Sequence, residues 1–141
     1  MPLVIRLDLR GTQISDLAPL QGLSELQWLD LRNTQVSNID SLRGLTALQW
    51  LYLSSTEVSN LSPLESMKSL RGLDLGGTPV WDLTPLKSLD SLQALVLTST
   101  RVTELAPLQN LTGLKWLYID EHNQSAAFVL EDIENIKIVL H

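Results

Sequence analysis

Cysteine is missing from all 141 residues. That excludes a disulfide framework and a thiolate metal site, and it leaves the redox compartment open. Histidine is nearly missing too: His122 and His141 are the only two, both near the C-terminal end. They are too few for a catalytic or metal constellation with supporting hydrogen-bond partners. Positive charge is in deficit, with Lys+Arg 10 against Asp+Glu 16 and a net charge of −6. Nucleic acid and anionic membrane need a basic surface and are disfavoured as partners. No apolar run approaches the ~20 residues of a membrane span, and the start, "MPLVIRLDLR", lacks the long apolar stretch of a signal peptide. These absences lean towards the cytoplasm without deciding the compartment. No glycine-rich phosphate loop is present, because the glycines of "LGGTPV" belong to the pattern described next. The expectation is a non-catalytic chain with no cofactor and no metal.

What the chain does have is self-similarity. It divides into blocks of 22 beginning at Met1, Leu23, Leu45, Met67, Leu89 and Leu111. The seventh place of each block reads Leu7, Leu29, Leu51, Leu73, Leu95, Leu117, and the ninth reads Leu9, Leu31, Leu53, Leu75, Leu97, Ile119. The twelfth is Thr12, Thr34, Thr56, Thr78 and Thr100, and the fourteenth is Ile14 followed by Val36, Val58, Val80 and Val102. A fixed period in the twenties means a solenoid. Places six to ten, such as "WLDLR", alternate apolar and polar residues, the period of a strand with one buried face. The second half, such as "ISDLAPLQGL", spaces its apolar places three apart, which suits a short tight helical turn. Asp16, Asn38, Asn60 and Asp82 can accept a hydrogen bond at the start of that turn, and Pro19, Pro63, Pro85 and Pro107 fit its first residues. Successive strands must be parallel, since each is reached by a crossover in the same direction.

The pattern L-x-x-L-x-x-L-x-L-x-x-T-x-V-x-D-L-x-P-L-x-x resembles the leucine-rich repeat family, in its 22-residue bacterial class typified by internalins. The resemblance covers Met1 to about Asp120. It implies an α/β fold: a right-handed solenoid, with a parallel sheet of six or seven short strands on the concave face and 3-10 turns and loops on the convex face. It also implies a recognition scaffold. One departure is consistent: Thr stands at the twelfth place where the family usually has Asn. A hydroxyl offers one donor and an acceptor, so the ladder is expected to bind backbone with fewer bonds per rung.

We read residues 1–141 as a single domain, with regular repeats over 1–120 and a degenerate C-terminal capping segment over 121–141. In that segment Ala127 and Leu130 keep places seventeen and twenty. Ile133, Ile136 and Val139 fall at the first, fourth and seventh places of a last block, and "NIKIVL" reads as a final strand. Phe128, the only Phe, is expected to pack there. The first block has no polar capping segment before it, so its strand edge is a possible docking or self-association surface.

The outward places of the strands carry the candidate site. The sixth reads Arg6, Trp28, Trp50, Gly72, Ala94, Trp116. The eighth reads Asp8, Asp30, Tyr52, Asp74, Val96, Tyr118, and the tenth reads Arg10, Arg32, Ser54, Gly76, Thr98, Asp120. Two aromatic ridges, Trp28, Trp50 and Tyr52 on one side and Trp116 and Tyr118 on the other, flank a dip of Gly72, Gly76, Ala94 and Thr98. Each aromatic can bury roughly 150 Å² or more against a partner. Asp8 and Asp30 are stacked like charges flanked by Arg6, Arg10 and Arg32; this is either a surface ion network, worth little stability, or a polar recognition patch beside the first ridge, and the arginines argue against calcium. The main expectation is a protein partner on this face through Trp28, Trp50, Tyr52, Trp116, Tyr118, Asp30, Arg32 and Asp74. The competing reading is that the aromatics stack on one another and only cover their own sheet. A structural or recruiting role in a larger protein, docking through the first strand, is an alternative, and carbohydrate binding a weaker one. Trp81, at the fifteenth place after Pro79, is placed on the convex side or a rim.

Overall fold

A computed structural model describes residues 3–141; the first-place assignment of Met1 lies outside the described residues. Among the described residues, seven strands form one parallel sheet in sequence order. They are β1 (Arg6–Asp8), β2 (Trp28–Asp30), β3 (Trp50–Tyr52), β4 (Gly72–Asp74), β5 (Ala94–Val96), β6 (Trp116–Ile119) and β7 (Lys137–Leu140). Between them lie 3-10 turns at Ala18–Leu20, Asp40–Leu42, Ser62–Leu64, Thr84–Leu86 and Ala106–Leu108, and a longer 3-10 segment at Glu121–Leu130. From β1 to β6 the register pairs identical places: Leu7 with Leu29, then Leu51, Leu73, Leu95 and Leu117.

The periodic leucines form one continuous core. In the second coil Leu26, Leu29, Leu31, Val36, Ile39 and Leu42 are all buried, and the third to fifth coils repeat this. Each such side chain contributes about 1.5–3 kcal/mol of transfer free energy. In the first coil Val4, Leu7, Leu9 and Ile14 are only partly buried, because just one neighbouring coil covers them.

Local chemistry explains each bend. The residue at the eleventh place takes the left-handed conformation in five coils: Gly11, Asn33, Ser55, Gly77 and Ser99, with φ between 57° and 73°. The next residue, Thr, turns its hydroxyl inward and donates to the carbonyl three residues back. These bonds run from Thr12, Thr34, Thr56, Thr78 and Thr100 to Leu9, Leu31, Leu53, Leu75 and Leu97, at 2.6–2.7 Å. Each rung makes this one donated bond, as a hydroxyl's single hydrogen allows, and the Thr100 hydroxyl also accepts the Val102 N–H at 3.4 Å. The carboxylate or amide of Asp16, Asn38, Asn60 and Asp82 accepts the backbone N–H two residues on, at 2.8–3.0 Å, opening the first four 3-10 turns as expected.

The C-terminal segment differs from expectation in two ways. Ala127, Leu130 and Ile133 are buried, but Phe128 is 68% exposed. It stands at the eighteenth place, which points outward in the other coils, and the small core volume goes to Ala127 and Leu130 instead. The last strand also slips by one residue: Leu117 pairs with Ile138, so Val139 lies beside Tyr118 on the outward face. The long 3-10 segment closes its coil one residue early. A slip of one exchanges the two faces of a strand, so Ile138, not Val139, continues the leucine row. Side chains replace backbone groups where this last coil departs from the repeat. Ser99 donates its N–H to the Asp120 carboxylate at 3.0 Å, and the buried Asn123 amide donates to the Val102 carbonyl at 3.1 Å.

Candidate protein-binding face

Strand alternation puts the sixth and eighth places on the sheet's outward, concave face. The N-terminal part of that face is a packed lattice of rings and charges. The Arg6 guanidinium lies 3.6 Å from the centre of the Trp28 ring. Trp28 meets Tyr52 on the next strand, with ring centroids 5.5 Å apart and planes tilted by 52°. Arg32 stands 4.8 Å from the Tyr52 ring centre. Trp28 therefore pairs diagonally with Tyr52 and not along its own column with Trp50. The Trp50 indole instead lies over Gly72, where a Cβ would overlap its six-membered ring. Gly72 is buried beneath it, so the dip expected between the two ridges is filled at this end.

Asp30 departs furthest from its expected role. It occupies an outward place, yet it is fully buried. Arg32 clamps it through Nη2 at 2.6 Å and Nε at 3.0 Å, Arg10 approaches to 3.9 Å, and the Arg32 backbone N–H donates to it at 3.0 Å. Burial alone would raise the Asp30 pKa. The hydrogen bonds and positive charge of Arg32, with help from Arg10, outweigh it and hold the pKa below the ordinary carboxylate value. The same bond raises the pKa of Arg32. Asp30 thus positions Arg32 and offers a partner no surface. Asp8 and Asp74 accept the tenth-place N–H in the same way, from Arg10 at 3.1 Å and Gly76 at 3.0 Å. The eighth-place Asp is accordingly a turn anchor, although Asp74 keeps part of its surface exposed.

The C-terminal part of the face is open. Trp116 is 43% exposed. Its neighbour on β5 is only Ala94, and on β7 it is Lys137, whose Nζ stands 5.3 Å from the ring centre. Tyr118 lies between Val96 and Val139 and faces the His141 ring at 6.5 Å. The structure thus brings Trp28, Tyr52 and Arg32 into one cluster, lays Trp50 over β4, and keeps Trp116 and Tyr118 apart in a second group. Arg6 and Lys137 were not named as site residues, though the repeat register puts Arg6 beside Trp28. The slip in the last coil, which brings Lys137 beside Trp116, has no counterpart in the 22-residue period.

Among the described residues, no group of three or more acidic, His or Cys side chains is placed to hold a metal ion. No helix among them is long and apolar enough to cross a membrane.

Comparison with known proteins agrees with this architecture. The family model described as "Leucine rich repeat" matches residues 2–58, and that described as "Leucine Rich repeats (2 copies)" matches residues 46–88. No curated protein matches the sequence. Among solved structures, internalin C2 of Listeria monocytogenes is 31% identical with a TM-score of 0.85, and the alignment covers 97% of this chain and 71% of that one. An internalin of the same species, encoded by inlF, is 22% identical (TM-score 0.71), covering 98% of this chain and 48% of the other. A leucine-rich repeat protein of Leptospira interrogans is also 22% identical (TM-score 0.84), covering 95% and 36%. These last two show the fold alone. On its repeat pattern, its seven-stranded solenoid and its similarity to internalin C2, the chain belongs to the leucine-rich repeat family, in its bacterial internalin-like class.

Proposed function

We propose that this chain binds a protein partner across the concave face of its sheet, with Trp116 and Tyr118 as the anchoring residues. Proteins of this family are typically interaction modules, but a fold does not choose a binding face. The carrying observation is the exposure of Trp116 among small neighbours. A half-exposed indole with Ala94 on one side leaves room for an incoming side chain, and Trp and Tyr are enriched at interface hot spots. Trp28, Trp50 and Tyr52 contribute a rigid shoulder, while Arg32 and Asp74 present polar atoms at its edge. Asp30 acts only by holding Arg32.

Affinity capture with the wild-type chain, Trp116→Ala and Trp81→Ala tests this reading. A partner held by the wild type and by Trp81→Ala, but weakened about 30-fold or more by Trp116→Ala, supports it; that is the scale of a hot-spot loss near 2 kcal/mol. Equal capture by all three would sink it.

A further inference from the structure

Trp81 has no role in the concave face. It stands at the fifteenth place, which is Ser15, Ser37, Ser59 and Thr103 in other coils. It is 65% exposed, and among the described residues no aromatic or cationic group stacks on its ring. It borders a cavity of about 170 Å³ lined with Ser59, Asn60, Leu61, Asp82 and Pro85. Asn60 also lines a second cavity, of about 210 Å³, one coil back. Asn60 is common to the linings of both hollows, and the first of them lies against the indole.

The free valences around the hollow beside Trp81 are polar and of both kinds. Asn60 Oδ1 accepts from the Ser62 N–H and hydroxyl at 3.0 and 2.8 Å, which leaves the Nδ2 hydrogens to donate. Asp82 Oδ1 accepts the Thr84 N–H at 2.9 Å, so the carboxylate is held in place with acceptor capacity left. The Ser59 hydroxyl can do either. A single exposed ring beside preset donors and acceptors matches a pyranose, which has an apolar C–H face and a hydroxyl edge. It matches other ligands less well. A protein interface needs roughly 800 Å² per partner around an apolar centre, and here Leu61 is buried and the remaining neighbours are mostly polar. Quaternary ammonium recognition uses a cage of several rings, and only one is present. The carboxylate of Asp82 and the net charge of −6 disfavour an acidic sugar.

We propose that Trp81, Asn60, Asp82 and Ser59 form a binding site for a neutral oligosaccharide, separate from the concave face, with one sugar ring stacked on the Trp81 indole. Saturation-transfer NMR on the full chain, with tetrasaccharides of glucose, of N-acetylglucosamine and of mannose as probes, tests it. At least one probe should show transfer to its ring protons. Trp81→Ala should weaken that binding by about tenfold or more, Trp81→Phe should retain part of it, and Trp116→Ala should leave it at the wild-type level. A thermal melt of Trp81→Ala close to that of the wild type separates lost binding from lost folding. No transfer with any of the three probes overturns the proposal. So does binding that survives Trp81→Ala, binding lost with Trp116→Ala instead, or a protein partner captured through Trp81 by a chain that ignores all three sugars. The concave-face reading stands or falls separately, on the Trp116 variant.

Discussion

The two aromatic groups on the sheet are made of the same residue types at the same places, yet they are in different physical states. Trp28 and Tyr52 are held by Arg6, Arg32 and each other, and Arg32 is fixed by a buried Asp30. Trp116 and Tyr118 have Ala94 and Val96 on one side and a single flexible lysine above the indole. The difference lies in the neighbours. Between an arginine and a second ring, a tryptophan has most of its contacts satisfied within its own chain. Beside alanine it does not, so the free energy of covering it remains available to a partner.

Substitutions at five positions can break or sharpen that contrast. The largest effect is expected at Asp30. Asp30→Ala strands Arg32 and removes its clamp, and should lower the unfolding free energy by about 2–3 kcal/mol in chemical denaturation, the scale of hydrogen bonds to charged groups. The cost stays at that level because Arg32 retains access to water. Its pH dependence has a definite sign. The folded pKa of Asp30 lies below the ordinary aspartate value, so its contribution is present above that ordinary value and disappears as pH falls through the folded pKa. Asp30→Asn should therefore flatten the acid side of the stability profile and leave the slope at neutral pH unchanged.

Next comes the direct comparison of the two indoles. Trp28→Ala should cost about 2 kcal/mol of stability and Trp116→Ala about 1 kcal/mol or less, because the first loses more buried surface and a closely stacked guanidinium. Equal losses in thermal melts would erase the distinction between a packed and an open ridge. Gly72→Ala should displace the Trp50 ring, shift its fluorescence and cost about 1 kcal/mol; an unchanged spectrum would mean that Trp50 does not rest on β4. The smallest effect belongs to Arg6→Ala. Loss of one exposed cation–π contact should cost about 0.5–1 kcal/mol in chemical denaturation against the wild type.

The solenoid was legible because each position recurs. The seventh- and ninth-place leucines, the threonine ladder and the caps at Asp16, Asn38, Asn60 and Asp82 all follow from a period of 22, and a repeat multiplies a weak local signal. Legibility failed where one residue's surroundings decide. Asp30 reads as an outward residue by alternation, and nothing in the alternation shows that two arginines from adjacent strands enclose it. Phe128 reads as core by hydrophobicity, but a place in the coil outranks the identity of the side chain. Val139 reads as a seventh-place residue by counting, and the early closure of the last coil defeats the count.

By itself, then, the sequence determined the architecture: the period, the parallel strands, and which aliphatic side chains of the regular coils fill the core. Burial of one leucine face leaves no other register that keeps apolar surface from water. Only the tertiary structure decided what the outward residues do. Their state depends on contacts between coils, on Arg6 over Trp28 and Trp50 over Gly72 against the bare Ala94 beside Trp116, and rotamers chosen across neighbouring strands are not written in any one repeat.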